Sequence, residues 1–209
     1  MSKELEMARA LVKMLEEKES AEAVSDVPVV QGVQLSTLNP GDVFKIGEHD
    51  FIVLEQMEGF TAVISKGLMA EEEQFSDDTR DYNQSAIKHL IENTIQPEIE
   101  EIVGADNLVE HTVDLTSVDM QNEFGTCTCK VRPITFDEAR KYNDLLVNKE
   151  LPDWYWTCTP WSTKERGWEY SVAVVSPHGR ISSDDFDCLS GVRPFCILKS
   201  DIFVSKEEN

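Results

Sequence analysis

The first residues of the chain carry apolar side chains at intervals of three and four positions, the spacing of one face of an α-helix. Ser2 stands where a helix cap is expected, so the pattern predicts an amphipathic helix within residues 1–19. Its apolar stripe consists of Leu5, Ala8, Leu11, Val12 and Leu15. A helix of this length is marginally stable by itself. We therefore expect residues 2–19 to bury their stripe against the main domain, a second copy or a larger assembly.

Residues 20–32 read as a flexible linker, because small and polar residues replace the helical pattern. The main domain is predicted over residues 33–205. Its first part shows three short strands at residues 42–46, 50–56 and 60–66, separated by the turn-prone stretches GEHD and MEG. This pattern predicts a β-meander.

A helix is predicted in the stretch SAIKHLIENTI, with Ser85 as its cap. Pro97 is expected to end this helix, and a short helix can restart there and finish before Gly104. The buried face of the first helix consists of Ile87, Leu90, Ile91 and Ile95.

A later helix begins with a capping box formed by Thr135 and Glu138, and we expect it to end at Asn148. Its buried stripe consists of Phe136, Ala139, Tyr142, Leu145 and Leu146. From there the chain reads as strands and loops: WYWTC, a hairpin in WEYSVAVVSPHGRIS, and VRPFCIL, in which Pro194 marks a strand start, an edge or a bulge. The order of elements predicts an α+β domain.

Four stretches together resemble an uncharacterised domain family of bacteria and their phages: PGDVFKIGEHDFIVLE, NQSAIKHLIE, VRPITFDEARKY, and WYWTCTP with the later VAVVSPHGRIS and GVRPFCIL. The resemblance covers residues 35–199 and implies a C-type-lectin-like fold, as in sulfatase-modifying factors and the variable proteins of diversity-generating retroelements. Members often read Trp-Trp-Leu-Arg-Ser-Pro where this chain has WYWTCTP, so the arginine of that motif is absent. Lectin-like domains host carbohydrate, protein and ice binding and, rarely, catalysis, so the fold does not fix the activity.

Charge narrows the range of partners. The chain has 40 acidic and 19 basic residues, a formal net charge of −21. Such a field repels nucleic acid and anionic membrane surfaces and attracts basic surfaces. The alternative is that the charge serves only solubility, which is the simpler explanation of acidic runs. No apolar stretch is long enough for a membrane span or resembles a secretory signal, so we expect a location in the host cytoplasm, with the virion as a further location.

The aromatic-rich stretch at residues 154–168 contains all four tryptophans. Alternation along a strand places Trp154 and Trp156 on one face, which we expect to be core. Trp161 and Trp168 stand in a polar loop with Lys164 and Arg166, a combination typical of interaction hot spots. We therefore predict a contact surface here, with burial of both rings under the loop as the alternative.

Three acidic residues in SSDDFDCLS form a second candidate contact region: Asp184, Asp185 and Asp187. Oxygen ligands on a loop suit calcium. The tripeptides of calcium-dependent sugar-binding lectins are absent, however, so we expect no bound metal and no cofactor. The predicted ligand is a protein or a glycan, held by residues 159–170 and 181–190.

Cysteines and histidines give little support to an enzyme. The five cysteines are an odd number and read as reduced, mostly buried residues, and the acidic neighbours of Cys188 are expected to raise its thiol pKa. No two of the four histidines share metal-ligand spacing, and His49 and His178 are expected in turns. We expect Arg193 to form a buried charge pair that holds the last strand.

Three functions remain open. The first is a non-enzymatic recognition module of phage or prophage origin, attached to an assembly by its N-terminal helix. The second is an acidic inhibitor that imitates nucleic acid and blocks a host defence nuclease. The third and least favoured is a copper-loaded oxidase-like enzyme, which would need two reactive cysteines.

Overall fold

The computed structural model describes residues 32–206. The predicted helix at residues 1–19 and all of the predicted linker before residue 32 lie outside the described residues. The described part combines mostly antiparallel sheets with a few helices, which confirms the predicted α+β class. Its strands are β1 (Val33–Gln34), β2 (Val43–Ile46), β3 (His49–Met57), β4 (Phe60–Ser65), β5 (Ala70–Gln74), β6 (His111–Asp114), β7 (Thr126–Cys129), β8 (Val131–Pro133), β9 (Tyr155–Pro160), β10 (Ser171–Val175), β11 (Ile181–Asp185), β12 (Leu189–Val192), β13 (Pro194–Lys199) and β14 (Phe203–Val204).

One five-stranded sheet has the order β2-β3-β4-β13-β8. The first three strands are the predicted meander, with Val53 opposite Val63 and a bulge between Val53 and Glu55. β13 pairs with β4 from the far end of the chain and begins at Pro194, so the proline stands at a strand start, one of the three places predicted for it. His49 is the first residue of β3, opposite Ile46, so its predicted place in the turn was wrong.

The second five-stranded sheet has the order β11-β10-β9-β12-β5. β10 and β11 form the predicted hairpin around the Pro-His-Gly turn. β9 and β12 run parallel, with Gly191 opposite Tyr155, and a Cβ on Gly191 would lie 2.4 Å from the Leu68 side chain. Both edge strands carry acidic side chains, and such charges discourage pairing with another chain.

A helix that we predicted to stop at Pro97 instead passes through it. Helix α1 (Ala86–Leu90) leads through a π-helical turn (Ile91–Ile95) into α2 (Gln96–Val103). Proline lacks the N–H that a regular helix would use here, and the wider turn accommodates this loss. Gly104, at φ +85°, ends α2 as expected. No helix within residues 32–206 is long and apolar enough to cross a membrane.

The capping-box helix is present as predicted, and its box is complete. The Thr135 hydroxyl accepts from the Glu138 amide at 3.1 Å, and the Thr135 amide donates to the Glu138 carboxylate at 2.7 Å. The helix divides into α3 (Phe136–Lys141) and α4 (Asn143–Leu146), so it ends two residues before the predicted Asn148. Ala139 and Leu146 of its predicted stripe are fully buried.

β9 is buried on both faces, between two hydrophobic clusters. Trp156 and Cys158 point into the larger cluster and Tyr155 into the smaller one. The core prediction is therefore confirmed for Trp156, which has no exposed surface, while Trp154 is half-buried against the same cluster. This strand fixes the start of the loop that follows it, where the candidate site lies.

Candidate functional site

The loop between β9 and β10 closes on itself through backbone hydrogen bonds. The Trp161 amide donates to the Ser171 carbonyl at 2.9 Å, and the Trp168 amide donates to Thr163 at 3.1 Å. A short 3-10 turn, Lys164–Arg166, ends at Gly167, whose φ of +84° suits glycine. The loop thus has a defined backbone, and residues 161–170 are named the rim loop below.

The two tryptophans of the rim loop differ in exposure. Trp161 is half-buried, and its ring lies 6.2 Å from that of Trp168, which is 43% exposed. The two rings are tilted against each other by 57°. Tyr170 is more exposed still, at 54%, and its ring lies 5.7 Å from that of Phe186. Phe186 itself is buried in the core. The two exposed rings, Trp168 and Tyr170, and the two rings that contact them, Trp161 and Phe186, are named the aromatic platform.

Arg80 holds the rim loop from behind. Its buried guanidinium donates to the Ser162 carbonyl at 2.7 Å and to the Glu169 carbonyl at 3.2 Å. The same group forms an ion pair with Glu123 at 2.5 Å and lies 4.9 Å from the centre of the Phe124 ring. Burying a charge costs free energy unless hydrogen bonds and an ion pair compensate it, and the bonds that compensate Arg80 also fix the loop.

Asp119 holds the other side of the rim loop. Its carboxylate accepts from Ser117 at 2.7 Å, from Ser162 at 2.6 Å and from Arg166 at 2.5 Å. The Ser117 and Ser162 hydroxyls, followed by Arg166, lower the pKa of Asp119 to about 2. The carboxylate is therefore charged at neutral pH, when it binds all three donors.

The two basic residues predicted for the contact surface are both in ion pairs within the chain. Lys164 contacts Glu169 at 3.1 Å, and Arg166 contacts Asp119. Both side chains keep substantial exposure. Their charges are nevertheless compensated before any partner arrives.

The three predicted aspartates do not converge. Asp184 and Asp185 are consecutive residues of strand β11, so they point to opposite faces, and Asp187 lies in the following turn. The Ser171 hydroxyl donates to Asp185 at 3.1 Å, and the Asp184 carboxylate accepts the Asp185 amide at 3.0 Å. Over residues 32–206, no group of three or more histidine, cysteine or acidic side chains has a geometry that could hold a metal ion.

The two predicted contact regions meet at Tyr170 and Phe186. The Phe186 amide donates to the Tyr170 carbonyl at 2.8 Å, directly beside the Ser171–Asp185 pair of the hairpin. The structure therefore brings the rim loop and the end of β11 together. Glu165, Asp184, Asp185 and Asp187 are named the acidic flank.

The cysteines are free thiols, and Cys188 alone among the five is more than marginally exposed. Burial raises the pKa of Cys158 and of Cys196 to about 12. The Cys188 pKa is raised as predicted, although burial contributes more than the neighbouring Asp184. Cys127 and Cys129 share a face of β7, where a hydrogen bond between them lowers the pKa of Cys127 and raises that of Cys129.

A buried ion pair beside His111 was not predicted. Arg132 binds Glu138 through two hydrogen bonds of 2.7 and 2.6 Å and donates from Nε to His111 Nε2 at 3.0 Å. Burial and the Arg132 charge lower the pKa of His111. The neutral imidazole therefore accepts the hydrogen bond from Arg132. Together, His111, Arg132 and Glu138 connect β6, β8 and α3.

Arg193 departs from its predicted charge pair. Its buried guanidinium donates to the Ser65 carbonyl at 2.7 Å and to the Leu146 carbonyl at 2.8 Å, and it lies 3.3 Å from the Tyr155 hydroxyl. None of the acidic side chains in residues 32–206 pairs with it, and its Nη2 atom has no hydrogen-bond partner. Burial accordingly lowers the pKa of this arginine. Arg193 therefore connects parts of the fold by donating to carbonyl oxygens rather than to a carboxylate.

Comparison of the chain with known proteins found no relative. No protein-family model matches the chain. Neither a curated protein nor a solved structure matches it. The resemblance to lectin-like domains therefore rests on the sequence motifs quoted above.

Proposed function

We propose that this protein is a non-enzymatic recognition module with a C-type-lectin-like domain, and that the aromatic platform is its contact surface. One observation carries the proposal: Arg80 and Asp119 fix the rim loop from within, while Trp168 and Tyr170 are exposed on its outside. A loop held in place before binding loses little entropy when a partner arrives. Exposed tryptophan and tyrosine on such a loop are typical of interaction hot spots.

The rest of the proposal comes from the sequence. Residues 2–19 tether the domain to an oligomer or a larger assembly, and residues 20–32 allow the domain to reach its partner. The motif resemblance favours a phage or prophage origin, with a location in the host cytoplasm or the virion. Deleting residues 1–30 is expected to leave a folded domain that no longer assembles, and normal assembly of the shortened chain would count against the tether.

The contact surface is tested by comparing two matched substitutions. Trp168→Ala removes an exposed ring from the platform, and Phe60→Ala removes a ring of similar exposure, 40% against 43%, from the first residue of β4. Both variants and the unchanged protein are presented to a glycan array and to a bacterial lysate, with mass spectrometry of captured proteins. We expect ligands that Phe60→Ala retains and Trp168→Ala loses. Equal retention by both variants contradicts the proposal.

The acidic inhibitor is a second candidate, supported by the charge of −21. In this function the carboxylates act together over a wide surface rather than at the platform. A basic nuclease captured in a salt-sensitive manner, with no loss on Trp168→Ala, would favour it.

A further inference from the structure

Charge around the aromatic platform favours one class of partner. The two basic residues of the rim loop are compensated within the chain: Lys164 by Glu169 at 3.1 Å, and Arg166 by Asp119 at 2.5 Å. A partner that approaches the platform therefore meets little net positive charge from this loop.

The acidic flank, in contrast, is uncompensated. None of its four carboxylates pairs with a lysine, arginine or histidine among residues 32–206. Asp185 and Asp187 are exposed, and Glu165 is exposed within the rim loop itself. The Phe186 amide donates to the Tyr170 carbonyl, and Asp185 lies opposite Ser171, the residue after Tyr170, so this end of the flank adjoins the rim loop. The surface thus combines aromatic faces with unpaired carboxylates.

We propose that the aromatic platform and the acidic flank bind a lysine- or arginine-rich segment of a partner protein. A cation is attracted to the face of an exposed tryptophan or tyrosine, and most strongly where carboxylates stand nearby. The net charge of −21 adds long-range attraction for such a segment. A neutral glycan would stack on the rings and donate hydroxyl hydrogen bonds to the carboxylates, but it would gain nothing from the net charge, and a nucleic acid would be repelled. This inference rests on the proposed function and names its partner class.

The test uses the full chain and two labelled peptides. One is a short arginine-rich peptide; the other has citrulline in place of each arginine, which keeps the shape and removes the charge. Fluorescence anisotropy measures the affinity of each at low and at physiological salt. We expect binding of the arginine peptide, weakened by salt, and no measurable binding of the citrulline peptide.

Three variants locate the binding. Trp168→Ala is expected to lower the affinity for the arginine peptide at least about tenfold, as removal of a hot-spot ring does. The double variant Asp185→Asn and Asp187→Asn is expected to lower it about fivefold. The control, Glu58→Gln with Glu101→Gln, removes the same charge from exposed positions outside the platform and flank and should change the affinity less than about twofold.

The inference would be overturned by no binding of the arginine peptide, by equal binding of the citrulline peptide, or by an equal loss in the control variant. The last result would indicate attraction by overall charge. A glycan or neutral peptide that binds and depends on Trp168 would leave the recognition surface intact and reject the basic partner. If Trp168→Ala changed the affinity for none of the ligands tested, the aromatic platform would be rejected as the contact surface as well.

Discussion

One titratable residue, the half-buried His111, links the stability of this domain to pH. His111 is held neutral, since burial and Arg132 lower its pKa in the folded protein. An unfolded histidine titrates near pH 6.5. The unfolded state therefore takes up a proton first as the pH falls, and the folded protein loses stability.

The sign of this pH effect is open to measurement. The His111 contribution to the free energy of unfolding is fully present above about pH 6.5, declines as the pH falls from there towards the folded pKa, and is constant below it. Urea unfolding across this range should show a decline that His111→Gln, which keeps an acceptor for Arg132, largely removes. The opposite trend, with the unchanged protein gaining stability relative to His111→Gln on acidification, would show that the folded protein favours the charged imidazole.

Residue-scale features were the least predictable from sequence. Arg80 and Asp119 lie far along the chain from the loop they hold, and no local pattern links them to Ser162. The Arg193 prediction found the right burial and the wrong partner, because carbonyl oxygens from Ser65 and Leu146 replace a carboxylate. Such acceptors depend on the tertiary fold, so spacing along the chain cannot reveal them.

At the scale of elements, several local patterns predicted their elements correctly. The meander, the hairpin around its Pro-His-Gly turn and the capping box of α3 all follow from patterns of a few residues. The helix through Pro97 did not, because a π-helical turn needs the buried packing of Ile91 and Ile95. The half-buried position of Trp161, whose ring lies 6.2 Å from that of Trp168, also has no signal in the local pattern.

The capping box gives an element-scale prediction. Thr135→Ala removes the hydroxyl that accepts the Glu138 amide at 3.1 Å, and loss of such a cap costs about 1–2 kcal/mol. The control is Thr112→Ala, whose exposed hydroxyl bonds only the exposed Thr128 among residues 32–206 and should cost less than about 0.5 kcal/mol. Urea midpoints of the two variants give the comparison. Equal losses would mean that the cap contributes nothing specific.

At the scale of the whole molecule, the accessibility of the five thiols provides a test of the oxidase-like hypothesis. Four cysteines are buried, and burial raises the pKa of Cys158 and Cys196 to about 12. We expect a native thiol titration at pH 8 to show at most one readily reacting thiol, Cys188, and full reaction of all five in denaturant. Two thiols that react rapidly in the native protein would restore the enzyme hypothesis.

The central claim is that the rim loop is fixed before any partner binds. Hydrogen exchange of the amides at residues 161–171 tests it directly, in the unchanged protein and in Arg80→Met, with the turn at residues 176–180 as an internal reference. We expect protected Trp161 and Trp168 amides, and exchange at least about tenfold faster in Arg80→Met while the reference turn is unchanged. Exchange in the unchanged protein as fast as in an unfolded chain, or no effect of Arg80→Met on the loop, would contradict it.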